Sequence, residues 1–111
     1  MSDGRLPARL EVTALIRATE SAGGFAMVLA RGEPDSGSIL IVTCERDGGR
    51  RLWERMPRLD GPRRFEVSRN ADGDPRELDL YLDKRRERDP DCWILELDIA
   101  DAERFIAEFT P

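Results

Sequence analysis

Histidine is absent from all 111 residues, and that absence removes more chemistry than any other feature of the sequence. A Ser-His-Asp or Cys-His nucleophile system, an imidazole-rich metal site and a histidine-based pH switch are all excluded. Lysine is nearly absent as well. Lys84 is the only one, and the other 17 basic residues are arginine. A Schiff-base or phosphate-loop lysine would have to be Lys84. It lies in the run Lys84-Arg85-Arg86-Glu87-Arg88 with no glycine loop before it, which suits neither role. Cysteine is limited to Cys44 and Cys92, with no Cys-x-x-Cys pair, so structural zinc is not expected. No apolar run is long enough to span a bilayer. The first ten residues lack the apolar region of a signal peptide. A cytoplasmic protein with two free thiols is the expectation, with no metal and no cofactor. A disulfide would require the strands that carry Cys44 and Cys92 to be neighbours.

What is present is an ordinary globular composition, 40% hydrophobic and 37% charged. One core suffices at this length, so residues 10–111 read as a single domain behind a flexible tail at residues 1–9. The net charge of −5 is unevenly spread. Residues 1–58 carry nine basic and eight acidic groups, residues 59–88 eight and eight, and residues 89–111 one and seven. The body is therefore balanced and rich in arginine, and the acidity belongs to the last fifth. Arginine bias suits bidentate anion recognition, but a GC-rich genome produces the same bias and is the preferred explanation.

Along the chain, Leu10, Val12, Leu15, Ile16, Thr19 and Ala22 mark one stripe of a helix that Gly23-Gly24 stops. Phe25 to Ala30 reads as a buried strand. Residues 32–38 form a turn-rich loop. Ile39 to Glu45, β-branched and apolar on both faces, predicts a central strand. Asp47-Gly48 signals a hairpin to a partner strand, Arg51 to Met56. A short strand follows from Arg64 to Ser68, with Phe65 and Val67 on one face. Asp74, Pro75 and Glu77 open a helix running to about Arg88, with Leu78, Tyr81, Leu82 and Arg85 sharing a face. Cys92 to Ile99 is a strand with Trp93, Leu95, Leu97 and Ile99 on one side. Asp101 caps a last short helix carrying Phe105, Ile106 and Phe109. The order α-β-β-β-β-α-β-α predicts an α+β fold: an antiparallel or mixed sheet of about five strands with helices packed on it.

Several stretches are candidate sites, each beside a plainer reading. Asn70 to Asp74 has the oxygen spacing of a calcium loop, but Pro75 and Tyr81 occupy the positions where glycine and glutamate are needed, so a helix cap is preferred. Lys84 to Arg88, with Arg50-Arg51 and Arg63-Arg64, could contact phosphates. A solvated helix face, with arginines complementing the dipole, is the plainer reading. Asp89 and Asp91, flanking Pro90, form a turn rather than a catalytic pair and are candidate partners for Arg85 and Arg88. The residue 32–38 loop lacks the glycine order of a phosphate loop. Trp53 and Arg55 share one face of their strand. Trp53 is an exposed partner anchor if Leu52 and Met56 face the core, and a core residue if a helix covers it; both readings stand.

Most of the chain resembles domain of unknown function family 1491, typical of alphaproteobacterial genomes. The resemblance rests on Glu11-Val12-x-Ala14-Leu15-Ile16-Arg17 leading to Ala22-Gly23, and on Phe25 to Leu29 followed by Arg31-Gly32-Glu33-Pro34-Asp35-Ser36-Gly37. It rests also on the hairpin after Ile39 to Thr43. Most of all it rests on Tyr81-Leu82, Arg85, Arg88-Asp89-Pro90-Asp91 and Trp93-Ile94-Leu95-Glu96. It implies a small cytoplasmic bacterial domain and brings no catalytic or ligand residue with it. The expected function is a non-enzymatic protein-interaction or accessory role, binding a protein partner or a second copy. Trp53, Arg55, Arg85, Arg88, Asp89, Asp91 and Trp93 are its candidate binding residues. The alternative is an anion, nucleotide or RNA binder using the arginine cluster. An enzyme has no positive sign in the residues.

Overall fold

The first helix, α1 (Ala8–Ser21), begins behind Pro7, whose fixed φ of −53° suits a helix entry. It starts two residues earlier than the apolar stripe suggests. Its first free N–H groups, on Ala8 and Arg9, are taken by the carbonyls of Asp35 and Pro34 at 3.0 and 2.8 Å. A loop 25 residues downstream thus supplies the cap that the helix itself lacks. The buried stripe is Ala8, Glu11, Val12, Leu15 and Thr19, whereas Leu10 faces solvent. Thr19 satisfies its buried hydroxyl on the Leu15 carbonyl at 2.7 Å. Gly23, at φ +87°, provides the left-handed residue that ends the helix.

The structure, a computed structural model, describes residues 6–44, 49–56, 59, 64–71 and 74–109. The expected Asp47-Gly48 turn and the Gly61-Pro62 loop lie outside those residues. After α1 come β1 (Phe25–Ala30), β2 (Ile39–Cys44), β3 (Arg50–Met56) and β4 (Arg64–Ala71). Then follow α2 (Pro75–Arg88), β5 (Trp93–Asp98) and α3 (Ala102–Glu108). The α+β order read from the sequence holds. The five strands form one mixed sheet in the order β1-β5-β2-β3-β4. β2, β3 and β4 make an antiparallel meander. α2 then returns across the sheet, so that β5 inserts beside β2 in parallel and beside β1 antiparallel.

Both faces of the sheet are covered. Ile39, Ile41, Trp53, Trp93, Leu95 and Leu97 pack against Ala8, Val12 and Leu15 of α1 and Ile106 of α3. Leu40, Val42, Leu52, Cys92 and Ile94 pack against Leu78 and Leu82 of α2. This explains why β2 is apolar on both faces: its alternate side chains enter two different cores. Each fully buried aliphatic in these layers contributes about 1.5–3 kcal/mol.

Three expectations change. β1 is not buried: Phe25, Met27, Val28 and Leu29 are 58, 47, 36 and 42% exposed, because β1 is an outer strand bonded to β5 alone among the described strands. β4 runs three residues beyond Ser68, with a register shift opposite Leu52/Trp53. Asp101 stands at the start of α3 in a left-handed conformation, φ 51°, and holds Phe105 N–H with its carbonyl rather than capping with its side chain. Asp74 does cap α2 as expected, its carboxylate accepting from Arg76 N–H at 2.9 Å.

Candidate functional site

The residues singled out in the sequence fall into three groups. The two tryptophans belong to the core. Trp53 is 5% exposed and its indole N–H donates to the buried Thr43 hydroxyl at 2.8 Å. Both faces of β3 are covered here, Leu52 under α2 and Trp53 under α1 and α3, which excludes an exposed anchor at this position. Trp93 is 4% exposed and donates its indole N–H to the Glu33 carbonyl at 2.8 Å. The guanidinium of Arg31 lies over the Trp93 ring, 5.7 Å from its centre.

The arginines are largely engaged inside the molecule. Arg55 reaches across to α1, where Nη1 donates to Glu11 Oε1 at 3.0 Å and Nη2 contacts Oε2; it also stacks on Phe65 at 4.7 Å. Arg85 turns to Glu54 at 2.6 Å rather than to Asp89 or Asp91. Glu54 also accepts from the Ser68 hydroxyl at 2.6 Å. Burial pushes the Glu54 carboxyl up, but the Ser68 hydroxyl and the Arg85 guanidinium outweigh it and hold the group below the usual carboxylate range. The Glu54 hydrogen bond raises Arg85 in turn. Arg69 lies 3.8 Å from the centre of the Tyr81 ring. Arg50 meets Asp79 at 2.9 Å and Glu96 at 3.9 Å.

The third group is a corner. Asp89 ends α2, its N–H donating to the Arg85 carbonyl and its own carbonyl accepting from Cys92 N–H. The Asp91 carbonyl accepts from Glu33 N–H at 2.9 Å. Gly32 and Gly37 both lie against that carbonyl, so a Cβ at either would collide with it. The residue 32–38 loop is thus a packed connection. Glu33 holds it together by accepting from the Asp35 and Ser36 amides and the Ser36 hydroxyl, which lowers the pKa of its carboxyl. Arg86 Nη1 donates to the Arg31 carbonyl at 3.2 Å, tying the last turn of α2 to the end of β1. Arg88 and Asp91 are exposed at this corner.

Sequence reasoning missed Glu11 and Glu54 as the partners of Arg55 and Arg85. A signal for Glu11 exists: a carboxylate one residue before Val12, on the same stripe as Leu15 and Thr19, has to be paired if that stripe is buried. A cavity of about 290 Å³ opens above the Glu11–Arg55 pair, bordered by Pro7, Ala8, Ser36 and Gly37. Among the described residues that border it, Glu11 is paired with Arg55 and Asp35 with Arg9, and the adjacent helix N–H groups already have carbonyl partners. Among the described residues, no group of three or more Cys, Asp or Glu could hold a metal ion. No described helix is long and apolar enough to cross a membrane.

The thiols lie apart. β2 and β5 are neighbours, as a disulfide would need, but the parallel register sets Ile39 beside Trp93 and Thr43 beside Leu97. Cys44 and Cys92 therefore sit at opposite ends of the pair, about 20 Å apart at 3.3 Å per residue, and both are free. Burial pushes both thiols up, with Glu96 beside Cys44 and Asp89 beside Cys92 adding to it.

Among the described residues, the outer edge of β1 pairs with no further strand. Its six residues, Phe25–Ala30, contain no charge and no proline. The opposite edge, β4, carries Arg64, Glu66, Arg69 and Asn70. Charged residues are how sheet edges normally avoid pairing with another chain. β4 follows that rule and β1 breaks it.

Together these features define a small α+β domain whose mixed sheet is helix-covered on both faces and, among the described residues, ends along one side in an apolar strand with no further strand beside it. The chain matches the family described as "Protein of unknown function (DUF1491)" over residues 6–107 and belongs to it. A crystal structure of a DUF1491 family protein from Caulobacter crescentus CB15 superposes with a TM-score of 0.82 at 32% identity, covering 94% of this chain and 97% of that one. A solution structure of an A. tumefaciens protein gives 0.78 at 28% identity, covering 96% and 98%. No curated protein matches the chain.

Proposed function

We propose that this chain is a non-enzymatic interaction domain of the bacterial cytoplasm, and that it engages a protein partner by strand pairing along β1. The observation that carries the reading is the exposure of four apolar side chains, Phe25, Met27, Val28 and Leu29, on an uncharged outer strand. The four lie together on one strand, and exposed apolar side chains that adjoin mark interaction sites where singly scattered ones do not. Strand addition would use the outward N–H and C=O groups for affinity and the alternate side chains for specificity. The corner of Arg88, Asp89 and Asp91, tied to the end of β1 through Arg31 and Arg86, supplies the polar rim that such an interface needs. Trp53, Trp93, Arg55 and Arg85 serve this surface indirectly, by holding the sheet and its helices in place.

The anion or RNA reading finds less support, since Arg50, Arg55, Arg69 and Arg85 are spent on carboxylates and an aromatic ring. The test is site-directed photocrosslinking in cells. A benzophenone side chain at Met27 is expected to give a covalent adduct, and one at Val67, on the charged edge, none. Absence of any adduct at Met27 or Leu29 would overturn the proposal.

A further inference from the structure

Resting on the β1 interaction reading, we infer that the segment pairing with that strand is cationic as well as apolar: an arginine-bearing stretch of another protein, lying over the strip of sheet between α2 and β1. The way α2 crosses the sheet leaves that strip. Leu78 and Leu82 point down into the core. Tyr81 and Arg85 turn toward β4 and β3, to Arg69 and Glu54. Asp79, Asp83 and Arg86, at helical spacing on the opposite flank, turn the other way. Asp79 meets Arg50, which reaches on to Glu96 of β5, and Arg86 meets the Arg31 carbonyl at the end of β1. Beyond that flank Phe25 and Met27 are exposed.

Apolar and acidic groups alternate along the strip. Ala26 packs with the α1/α3 core, so Phe25 and Met27 point to the α2 side. Leu95 and Leu97 enter the same core, which turns Glu96 and Asp98 to the α2 side as well. In the antiparallel register Phe25 stands beside Asp98 and Met27 beside Glu96, each pair about 5 Å apart. Carboxylates from Asp79, Asp83, Glu96 and Asp98 thus outnumber the guanidinium groups of Arg50 and Arg86 here. Arg50 is 16% exposed and shared between Asp79 and Glu96, whereas Asp83 and Asp98 are exposed. The turn after Cys44, outside the described residues, reads Glu45-Arg46-Asp47-Gly48 and adds no basic excess.

This pattern selects the occupant. A wholly apolar segment would cover Glu96 and Asp98 without pairing them, which is costly. A purely charged one would leave Phe25 and Met27 in water. RNA or an anionic membrane is repelled. An arginine on a strand added beside β1 meets both demands. Its guanidinium stacks on Phe25 and forks onto Asp98, whose strand is two spacings, about 10 Å, from its own.

The test titrates the folded chain with two synthetic peptides, one alternating valine with arginine and the other valine with glutamate. In amide NMR spectra the arginine peptide is expected to shift residues 25–30 and 96–98, and the glutamate peptide none. Glu96→Gln/Asp98→Asn, checked for folding by circular dichroism, weakens binding by about tenfold. Asp98→Asn alone, at an exposed position, weakens it in the same direction, while Glu66→Gln on β4 leaves it unchanged. Shifts confined to other residues, equal binding of the glutamate peptide, or an affinity indifferent to Asp98→Asn overturns the cationic occupant. So do the same shifts produced by raising the protein concentration alone, which would indicate a second copy. In cells, a Met27 adduct whose yield ignores Asp98→Asn leaves the edge reading standing and removes this one. If Met27 yields no adduct, both fall.

Discussion

The ion pair between Arg55 and Glu11 joins the third strand to the first helix, and removing its basic half is a severe perturbation. Glu11 is 3% exposed, and the Arg55 side chain is 23% exposed. In Arg55→Met an apolar stem is kept, while the guanidinium's stacking on Phe65 is lost and the carboxylate is left in the core without its counter-charge. Breaking a buried pair from one side costs about 3–5 kcal/mol. The partial exposure of Arg55 places this case at the lower end, about 3 kcal/mol. A domain of this size has a total of about 5–15 kcal/mol to lose from, and its melting temperature drops by roughly 12 °C. Glu11→Leu alone costs less, about 1–2 kcal/mol, because the arginine left behind can turn its guanidinium to water. The double variant Glu11→Leu/Arg55→Met removes both charges and regains most of the loss, since an apolar pair of similar volume is often as stable as a buried ion pair. Urea unfolding of the four proteins, followed by circular dichroism, gives the coupling directly. A cost below about 1 kcal/mol for Arg55→Met, or a double variant no more stable than that single one, would refute the reasoning.

Other outcomes follow from the same contacts. Glu54 is held below its ordinary pKa in the fold. Its contribution is thus complete above the unfolded-state pKa and is lost as pH falls through the folded one. Glu54→Gln should flatten the acid limb of a stability-against-pH curve and leave the alkaline side unchanged in slope; an identical acid limb would show the Arg85–Glu54–Ser68 cluster to be energetically silent. Gly32→Ala forces a methyl group onto the Asp91 carbonyl and should cost about 1–3 kcal/mol, read as a lower urea midpoint. With both thiols pushed up, a thiol reagent at neutral pH should modify Cys44 slowly and Cys92 only on unfolding; rapid reaction of two equivalents would contradict their burial.

Local chemistry carried the sequence reading a long way. The absence of histidine excludes its catalytic and switching roles whatever the fold. Asp74 before Pro75 marks a helix start because a carboxylate there meets a free amide, and Gly23 marks a stop because it tolerates positive φ. The two-faced apolarity of Ile39–Cys44 fits a central strand, whose alternate side chains enter the cores on both sides of the sheet. These are properties of a residue and its near neighbours. The order of elements, and with it the α+β class, is legible for the same reason. What tertiary structure alone decided is everything that depends on which strands adjoin. Phe25–Ala30 is as apolar as a buried strand, and only the insertion of β5 between β1 and β2 leaves it at the edge. Trp53 was undecided until α1 and α3 covered its face. Glu11 and Arg55, 44 residues apart in sequence, meet because the sheet and α1 bring them together, and no local pattern encodes that distance. The missing histidine thus narrows what the chain can do, while the position of one uncharged strand in the sheet decides which of its apolar side chains face solvent.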